Sequence, residues 1–417
     1  NSIYRQLEHV FDNIEFSRIA VRNNHAITEC LALYLSGLMF PFYPVAKKWK
    51  VLGKRWLQEE VTYQVYPDGT YLQFSMNYHR VVLQLMSWAI RLSELNKEEL
   101  SEVVYSRARK SLHFLYACQD DASGQLPNYG NNDGAWFFPL SETDFRDYRP
   151  LLNTASLILD KKNLYAESGH WLEDAAWYGF DVRRRERAPA SASEKMISES
   201  FKRGGYYIHK DSMSLSFMRC GAYKDRPAQA DNLHLDVWIH GENVLRDAGS
   251  YLYNTDEQTI RYFAGTKGHN TVMLGDLDQM LKGPRFIWWH WTTWKEAKIE
   301  EDDEKVVMVG TIPVFLQLGG KIQHRRKVTK WKNKLVWEVE DELINKPSSL
   351  PMIQRWHPSV SGHRSLRFLS TDQDGQAVSP VEEEGWYSSY YGTKEKTKDI
   401  AYTTLGNKLT TRIEWIT

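Results

Sequence analysis

The hydrophobic periodicity of this chain changes partway along it, and that change constrains the fold more than any other feature. Up to roughly residue 190, apolar residues recur three and four positions apart, the spacing of a helix with one buried face. The pattern runs from Ala26 to Phe40, through YHRVVLQLMSWAIRLSEL from Tyr78, through SRARKSLHFLYAC ending at Cys118, and through RPLLNTASLIL from Arg149 and HWLEDAAWYGF from His170. Polar loops rich in Gly, Pro and Asn, such as DDASGQLPNYGNNDGAW, separate these runs. After about residue 200 the period shortens. GGYYIHK, SLSFMRC, HLDVWIHG, KVVMVGTIPVFLQLG, HRRKVTKW and KLVWEVED alternate, or run as short β-rich stretches between turn residues. The expected architecture is therefore multidomain: a helical array over 1–190 and an antiparallel β-sandwich over 191–417. The charged, small-residue segment 183–200 (RRRERAPASASEKMISES) is the expected linker. A length of 417 residues is enough for two cores.

Composition narrows the function. Lys plus Arg and Asp plus Glu are both 53, so the formal net charge is zero and lacks the basic excess of a nucleic-acid binder. Aromatic residues make up 13%, with 16 Trp and 23 Tyr. Such residues can stack on the apolar faces of sugar rings, and they also fill large β-sandwich cores. Cys30, Cys118 and Cys220 are far apart and form no CxxC pair, which argues against a zinc ribbon or redox motif. No apolar run reaches the roughly 18 residues of a membrane span. The chain begins at Asn1 rather than Met, which leaves two readings, a removed signal peptide or a longer N-terminal part.

Four segments carry chemistry-bearing residues. RNNHAITE (22–29) opens a helix; Asn23 or Asn24 fits an N-cap, and His25 beside two amides is a plausible general base. YPDGTYLQFSMNYHR (66–80) runs from a turn into a helix that begins with Ser75, Asn77, Tyr78 and His79, where Tyr78 is either a cleft residue or a core tyrosine. LPNYGNNDGAWFFPL (126–140) offers Asn128, Asn132 and Asp133 as hydroxyl-binding groups or as Asx turns. The segment from Arg226 to Asn254, followed by GHNTVML, holds Asp231, His234, Asp247 and His269; their spacing matches no simple zinc signature and equally suits sandwich turns.

Taken in order, NNHAITE, PDGTYLQFSMNYH, GNNDGAW and the QAD…RDAGSYLYN…GHNTV series resemble the heparinase II/III-like polysaccharide lyases, with related alginate lyases. The resemblance spans most of the chain. It implies an α/α toroid followed by an antiparallel β-sandwich; the helical part is short for a full toroid, so an incomplete one is expected. It also implies β-elimination on a uronate polymer such as a glycosaminoglycan or alginate, and a periplasmic or secreted bacterial protein. The acidic polysaccharide is the expected partner, with neither nucleic acid nor a membrane span.

That reaction needs three things. The uronate carboxylate must be hydrogen-bonded so that charge can develop on it, a base must take the C5 proton, and an acid must protonate the leaving O4. By resemblance, Asn24 serves the carboxylate, His25 is the base and Tyr78 the acid; Tyr78 in both proton-transfer roles is the competing assignment. A tyrosine, with a reference pKa of about 10, is a ready acid. Arg22, Arg80 and Arg226 are candidate anion partners, and Asn132, Asp133, Gln229 and His234 candidate substrate contacts.

Relatives carry an HxHxD motif where this chain has Pro227-Ala228-Gln229-Ala230-Asp231. Asp247 and His269 remain as metal-position candidates, but Gln229 is a poor zinc ligand. No cofactor is required for the chemistry, and a structural zinc is in doubt, with Gln229 expected to hydrogen-bond Asp247 or His269 instead. FIWWHWTTW (286–294) reads as a strand with Trp on both faces. Two rivals follow: a catalytically weak or inactive carbohydrate-binding homologue, and a glycoside hydrolase using Asp133 and Asp231 as its paired acids.

Overall fold

A computed structural model describes residues 2–165, 169–182 and 196–416. The expected boundary near 190, and residues 183–195 of the expected linker, lie outside the described residues. The chain divides into two compact units. The first comprises Asn1–Gln73, Asn77–Tyr116 and Ala135–Ala192; the second comprises Phe74–Met76, Ala117–Gly134 and Ser193–Thr417.

The first unit is helical. Its elements are α1 (Ser2–Glu15), a π-helical turn (Phe16–Val21), α2 (Asn24–Met39), α3 (Ala46–Gln64), α4 (Met76–Leu95), α5 (Glu102–Cys118), α6 (Arg149–Asp160) and the short α7 (Leu172–Trp177). The five helical runs read from periodicity correspond to α2 and α4–α7. Periodicity passes over α1 and α3. The buried positions of α3 are Ala46, Trp49, Gly53, Leu57, Glu60, Val61 and Gln64. These fall three and four apart, yet glycine, glutamate and glutamine among them blur the apolar stripe. α4 is apolar and buried almost all round, from Val81 to Ile90. The Tyr34 hydroxyl on α2 meets Ser93 Oγ on α4 at 2.8 Å. Among the described residues no helix is long and apolar enough to cross a membrane.

Two glycines let α2 and α3 approach closely. A Cβ on Gly37 would lie 2.5 Å from Lys50 Cβ, and a Cβ on Gly53 would lie 2.5 Å from the Tyr34 backbone nitrogen. Backbone cannot swing aside as a side chain can. Gly53→Ala gains about 1 kcal/mol of helix propensity, but overpacking against backbone costs about 1–3 kcal/mol or more. The expected result is a less stable protein with a lower melting temperature. An unchanged or raised melting temperature would contradict this helix contact.

The second unit is antiparallel β throughout its paired strands. Its first sheet runs in sequence order through β1 (Ile197–Phe201), β2 (Tyr206–Lys210), β3 (Ser214–Arg219), β4 (Leu235–Ile239) and β5 (Glu242–Leu245). Then come α8 (Glu257–Ala264), β6 (Val272–Leu274), and the small hairpin of β7 (Leu281–Lys282) and β8 (Trp288–Trp289). The rest are β9 (Glu296–Glu301), β10 (Lys305–Pro313), β11 (Gln323–Trp331), β12 (Val336–Ile344), β13 (Met352–Trp356), α9 (Val360–Ser365), β14 (Leu366–Asp372), β15 (Ala377–Val378), β16 (Val381–Tyr387), β17 (Glu395–Thr404) and β18 (Lys408–Trp415). One sheet orders as β15-β14-β18-β12-β11-β10-β9 and another as β16-β17-β13-β6. Burial alternates strictly along β12, the signature of a strand with one face in the core. A single core that includes Val237, Leu274, Met308, Val328, Trp337, Trp356 and Ile413 joins the three larger sheets.

The first sheet is also covered by the stretch 117–134. Lys210 Nζ donates to the Gln119 carbonyl at 3.1 Å and pairs with Asp121 at 2.9 Å. Arg219 Nε donates to the Tyr129 hydroxyl at 3.0 Å.

The expected strand 286–294 is corrected. Only Trp288–Trp289 pairs, with β7. Arg285 and His290 have φ of 51° and 60°, and left-handed residues on both sides stop an extended strand. The aromatic run shows β-like composition but not these two backbone breaks. The last residues of the expected linker, Ile197–Ser200, belong to β1.

Candidate active site

In the first unit the loop entering α2 is held from below by α3. Arg22 turns the chain with φ 45°, and its guanidinium lies 3.2 Å from the Tyr63 ring centre, with Nε 3.8 Å from Glu60 Oε2. Asn23 is the N-cap: its side chain accepts the His25 backbone N–H at 3.0 Å. Asn24 is thereby relieved of capping. It is buried, its backbone N–H donates to Gln73 Oε1 at 3.2 Å, and its side-chain Oδ1 has no hydrogen-bond partner.

Behind Gln73 sits a polar relay. The Tyr71 hydroxyl lies 2.6 Å from Gln73 Oε1 and 3.1 Å from Gln64 Oε1, and Gln64 Nε2 donates to Glu60 Oε2 at 3.1 Å. Burial pushes the Tyr71 phenol well above its ordinary value, and the nearby Tyr78 phenol pushes it the same way. Tyr71 therefore keeps its proton, and its hydroxyl is flanked by the start of α2 and by Tyr78. Tyr78 is half-buried near the start of α4, and His25 is exposed.

The neighbouring residues divide by role. His79 is buried and stacked on Phe114 at 5.3 Å, and burial pushes its imidazole down to about 3, so it stays neutral and serves packing. Asn77 is buried with neither amide atom hydrogen-bonded among the described residues. Arg80 is buried between the rings of Tyr148 and Phe145, at 4.0 and 4.2 Å. That cage uses its cation in packing rather than presenting it to an anion.

Glu60, Gln64, Tyr71 and Gln73 escape the sequence reading. Glu60 and Gln64 are an i, i+4 pair on one face of α3, and Tyr71 and Gln73 alternate inside the motif that precedes Tyr78, so a signal exists for both.

In the second unit, Asn132 is an Asx turn. Its Oδ1 accepts the Gly134 N–H at 2.9 Å, and its backbone N–H donates to Ser250 Oγ at 2.9 Å. Asp133 is partly exposed. Asp231 is buried and accepts from the Tyr223 hydroxyl at 3.0 Å; burial raises its carboxyl above the usual range. A paired-acid hydrolase site needs an open carboxylate there, and Asp231 is not open. His234 is buried and its Nδ1 accepts the Asn270 N–H at 3.0 Å; burial pushes it down to about 3. Its Nδ1 thus serves the loop, while Nε2 has no hydrogen-bond partner among the described residues. Arg226 lies 5.8 Å from the Phe286 ring centre.

Asp247 and His269 meet directly, with His269 Nε2 3.3 Å from Asp247 Oδ2. His269 Nδ1 donates to the Gly265 carbonyl at 2.7 Å, which aims Nε2 at the carboxylate. Burial opposes the imidazolium, but Asp247 outweighs it and His269 is raised to about 9. Gln229 does not hydrogen-bond this pair as expected: its Nε2 donates to the Phe263 carbonyl at 3.1 Å, and its Oε1 has no partner.

The C-terminal description "Heparinase II/III-like, C-terminal" matches residues 195–416, and "Heparinase II/III N-terminus" matches residues 2–129. The chain belongs to the heparinase II/III-like family. A heparin-sulfate lyase of Bacteroides stercoris is 20% identical over 408 residues, covering 92% of this chain and 55% of that protein. A solved heparinase III superposes with a TM-score of 0.75 at 17% identity, over 99% of this chain and 61% of that one. The heparan sulfate lyase of Pedobacter heparinus superposes with a TM-score of 0.71 at 18% identity, over 95% of this chain and 60% of that one. These neighbours bear out a helical toroid-type region followed by an antiparallel β-sandwich. The chain spans little more than half the length of the Bacteroides relative.

The family resemblance implies a metal at Gln229, Asp247 and His269, and the residues present do not fit zinc. A structural zinc takes four donors, usually Cys and His. Among the described residues no three His, Cys, Asp or Glu side chains converge. Asp247 and His269 instead face each other as a buried ion pair, 3.3 Å apart.

Proposed function

We propose that this heparinase II/III-like chain carries the elimination site of a polysaccharide lyase acting on a uronate-containing glycosaminoglycan. The observation that supports this most is Asn24: a buried amide excused from capping by Asn23 and pinned through its backbone by Gln73, which leaves its side chain for a ligand. Its side-chain Nδ2 is the group that donates to the enolate developing on the uronate carboxylate, and a buried amide held in place has its dipole oriented before charge appears. His25 takes the C5 proton. The electron pair forms the C4–C5 double bond and expels O4, which takes a proton from the Tyr78 hydroxyl. Tyr71 keeps its own proton and holds Gln73, so it positions Asn24 without taking part. The relatives' heparin-sulfate lyase activity favours a heparan-type polymer over alginate, and a periplasmic or secreted location fits that role.

The test is an assay on heparan sulfate, other glycosaminoglycans, alginate and a bacterial exopolysaccharide, following the ultraviolet absorbance of the unsaturated uronate product. Absorbance rising on a heparan-type polymer is the expected result. Binding with no absorbance on any polymer would make the chain a carbohydrate-binding homologue, and new reducing ends without absorbance would make it a hydrolase.

A further inference from the structure

We propose that a cleft within the second unit, floored by Gln229, is a subsite that grips an acidic oligosaccharide without cleaving it. This inference rests on the lyase reading for its choice of ligand. The cleft has a volume of about 1450 Å³, larger than the roughly 300–1,000 Å³ of a typical small-molecule pocket. It has room for several sugar rings.

One wall is the β7–β8 hairpin. Trp288 is buried and anchors the hairpin by donating its indole N–H to the Ala228 carbonyl at 3.2 Å. Alternation along a strand then turns the next residue, Trp289, outward, and it is 52% exposed on the cleft. Phe286, also lining the cleft, is 42% exposed and packs edge-on against Tyr253 at 5.3 Å. Large exposed rings on an anchored hairpin form a rigid apolar platform, the shape that the apolar face of a pyranose covers.

The polar groups define the ligand's charge. Arg261, in the last turn of α8, and Arg285, beside the hairpin, line the cleft, and neither side chain forms a hydrogen bond or ion pair among the described residues. Arg261 acts on the neighbouring Asp278 carboxylate, and the Arg285 guanidinium matches a carboxylate or sulfate group. Gln229 lies at the base, 1% exposed, with Oε1 unpartnered. Glu257, Asp276 and Asp278 share the lining and offset Arg261, Lys282 and Arg285. The cleft therefore suits a glycan whose acid groups alternate with hydroxyls rather than a dense polyanion. None of these groups is arranged to move the C5 proton.

The experiment uses the whole chain. In a Tyr78→Phe background, which slows cleavage by about 10²–10⁴-fold, calorimetry follows binding of a heparan sulfate hexasaccharide and of neutral maltohexaose. The acidic hexasaccharide is expected to bind, Trp289→Ala and Arg285→Gln each to weaken it about tenfold, and maltohexaose not to bind. With Tyr78 intact, the same two substitutions raise KM by a similar factor and leave kcat in place. Both positions are exposed, and matching melting temperatures exclude misfolding. The proposal falls if neither substitution moves affinity or KM, or if maltohexaose binds as tightly. Trp289-dependent binding without cleavage of any polymer upholds the cleft and removes the lyase reading. Cleavage with unmoved KM removes the cleft and upholds the lyase.

Discussion

Tyr78→Phe lowers kcat on the cleaved polymer by about 10²–10⁴-fold, the contribution of a positioned proton donor or acceptor, while KM changes little. The substitution deletes one oxygen from a half-buried ring near the start of α4 and leaves the packing in place. Without the phenol, O4 must leave as an unprotonated alkoxide. Asn24→Ala is expected to cost about 10²–10³-fold, as loss of an oxyanion-type donor does. Its effect falls on kcat because the amide matters most when charge develops. His25→Ala separates the two proton-transfer assignments. With His25 as base, the loss matches that of Tyr78→Phe; with Tyr78 in both roles, most activity survives. Initial rates of unsaturated product, measured on variants with wild-type melting temperatures, decide this. Full activity in both His25→Ala and Tyr78→Phe would remove the site.

The second large effect is structural. Asp341→Asn destabilises the protein by about 3–5 kcal/mol, the cost of stranding a buried charge. Asp341 is fully buried and accepts from Arg326 Nε and Nη2, both at 2.7 Å, from His324 Nε2 at 2.7 Å and from Gln354 Nε2 at 2.8 Å. Burial alone would raise its carboxyl, but the Arg326 guanidinium overrides this and holds it well below the carboxylate range. Arg326 also donates through Nη1 to the carbonyls of Leu233 and Asn270. The pair thus ties β11 and β12 to the loops that carry His234 and His269. For a unit of this size the melting temperature should fall by roughly 10 °C. The double variant Arg326→Met/Asp341→Leu, which removes both charges, should recover much of the loss. A single variant that melts like the wild type would show that the pair is not a clamp.

Much of the architecture is legible in the sequence because burial on one face imposes its own period. The runs now seen as α2, α4 and α5 announce themselves at helical spacing, and β12 at a spacing of two. α3 does not, because its contact with α2 depends on Gly53 and its inward polar face on Glu60 and Gln64, none of which is hydrophobic. The 286–294 segment misleads for the opposite reason: its aromatics look like a strand, and the left-handed residues Arg285 and His290 break it.

The candidate site divides the same way. Motif order along the chain identifies the family, and with it Asn24, His25 and Tyr78 as the residues to examine, since order and residue type survive in one dimension. Residue type does not say which asparagine caps the helix. The tertiary structure gives that task to Asn23 and spares Asn24. Nor does it show that Arg80 is enclosed by aromatic rings, that Gln229 turns to the Phe263 carbonyl, or that Asp247 and His269 meet as a buried ion pair. Those outcomes depend on which buried polar groups meet across distant segments. Such pairing is decided by packing and by the cost of leaving a buried donor or acceptor unmet, and no local pattern in the chain records it.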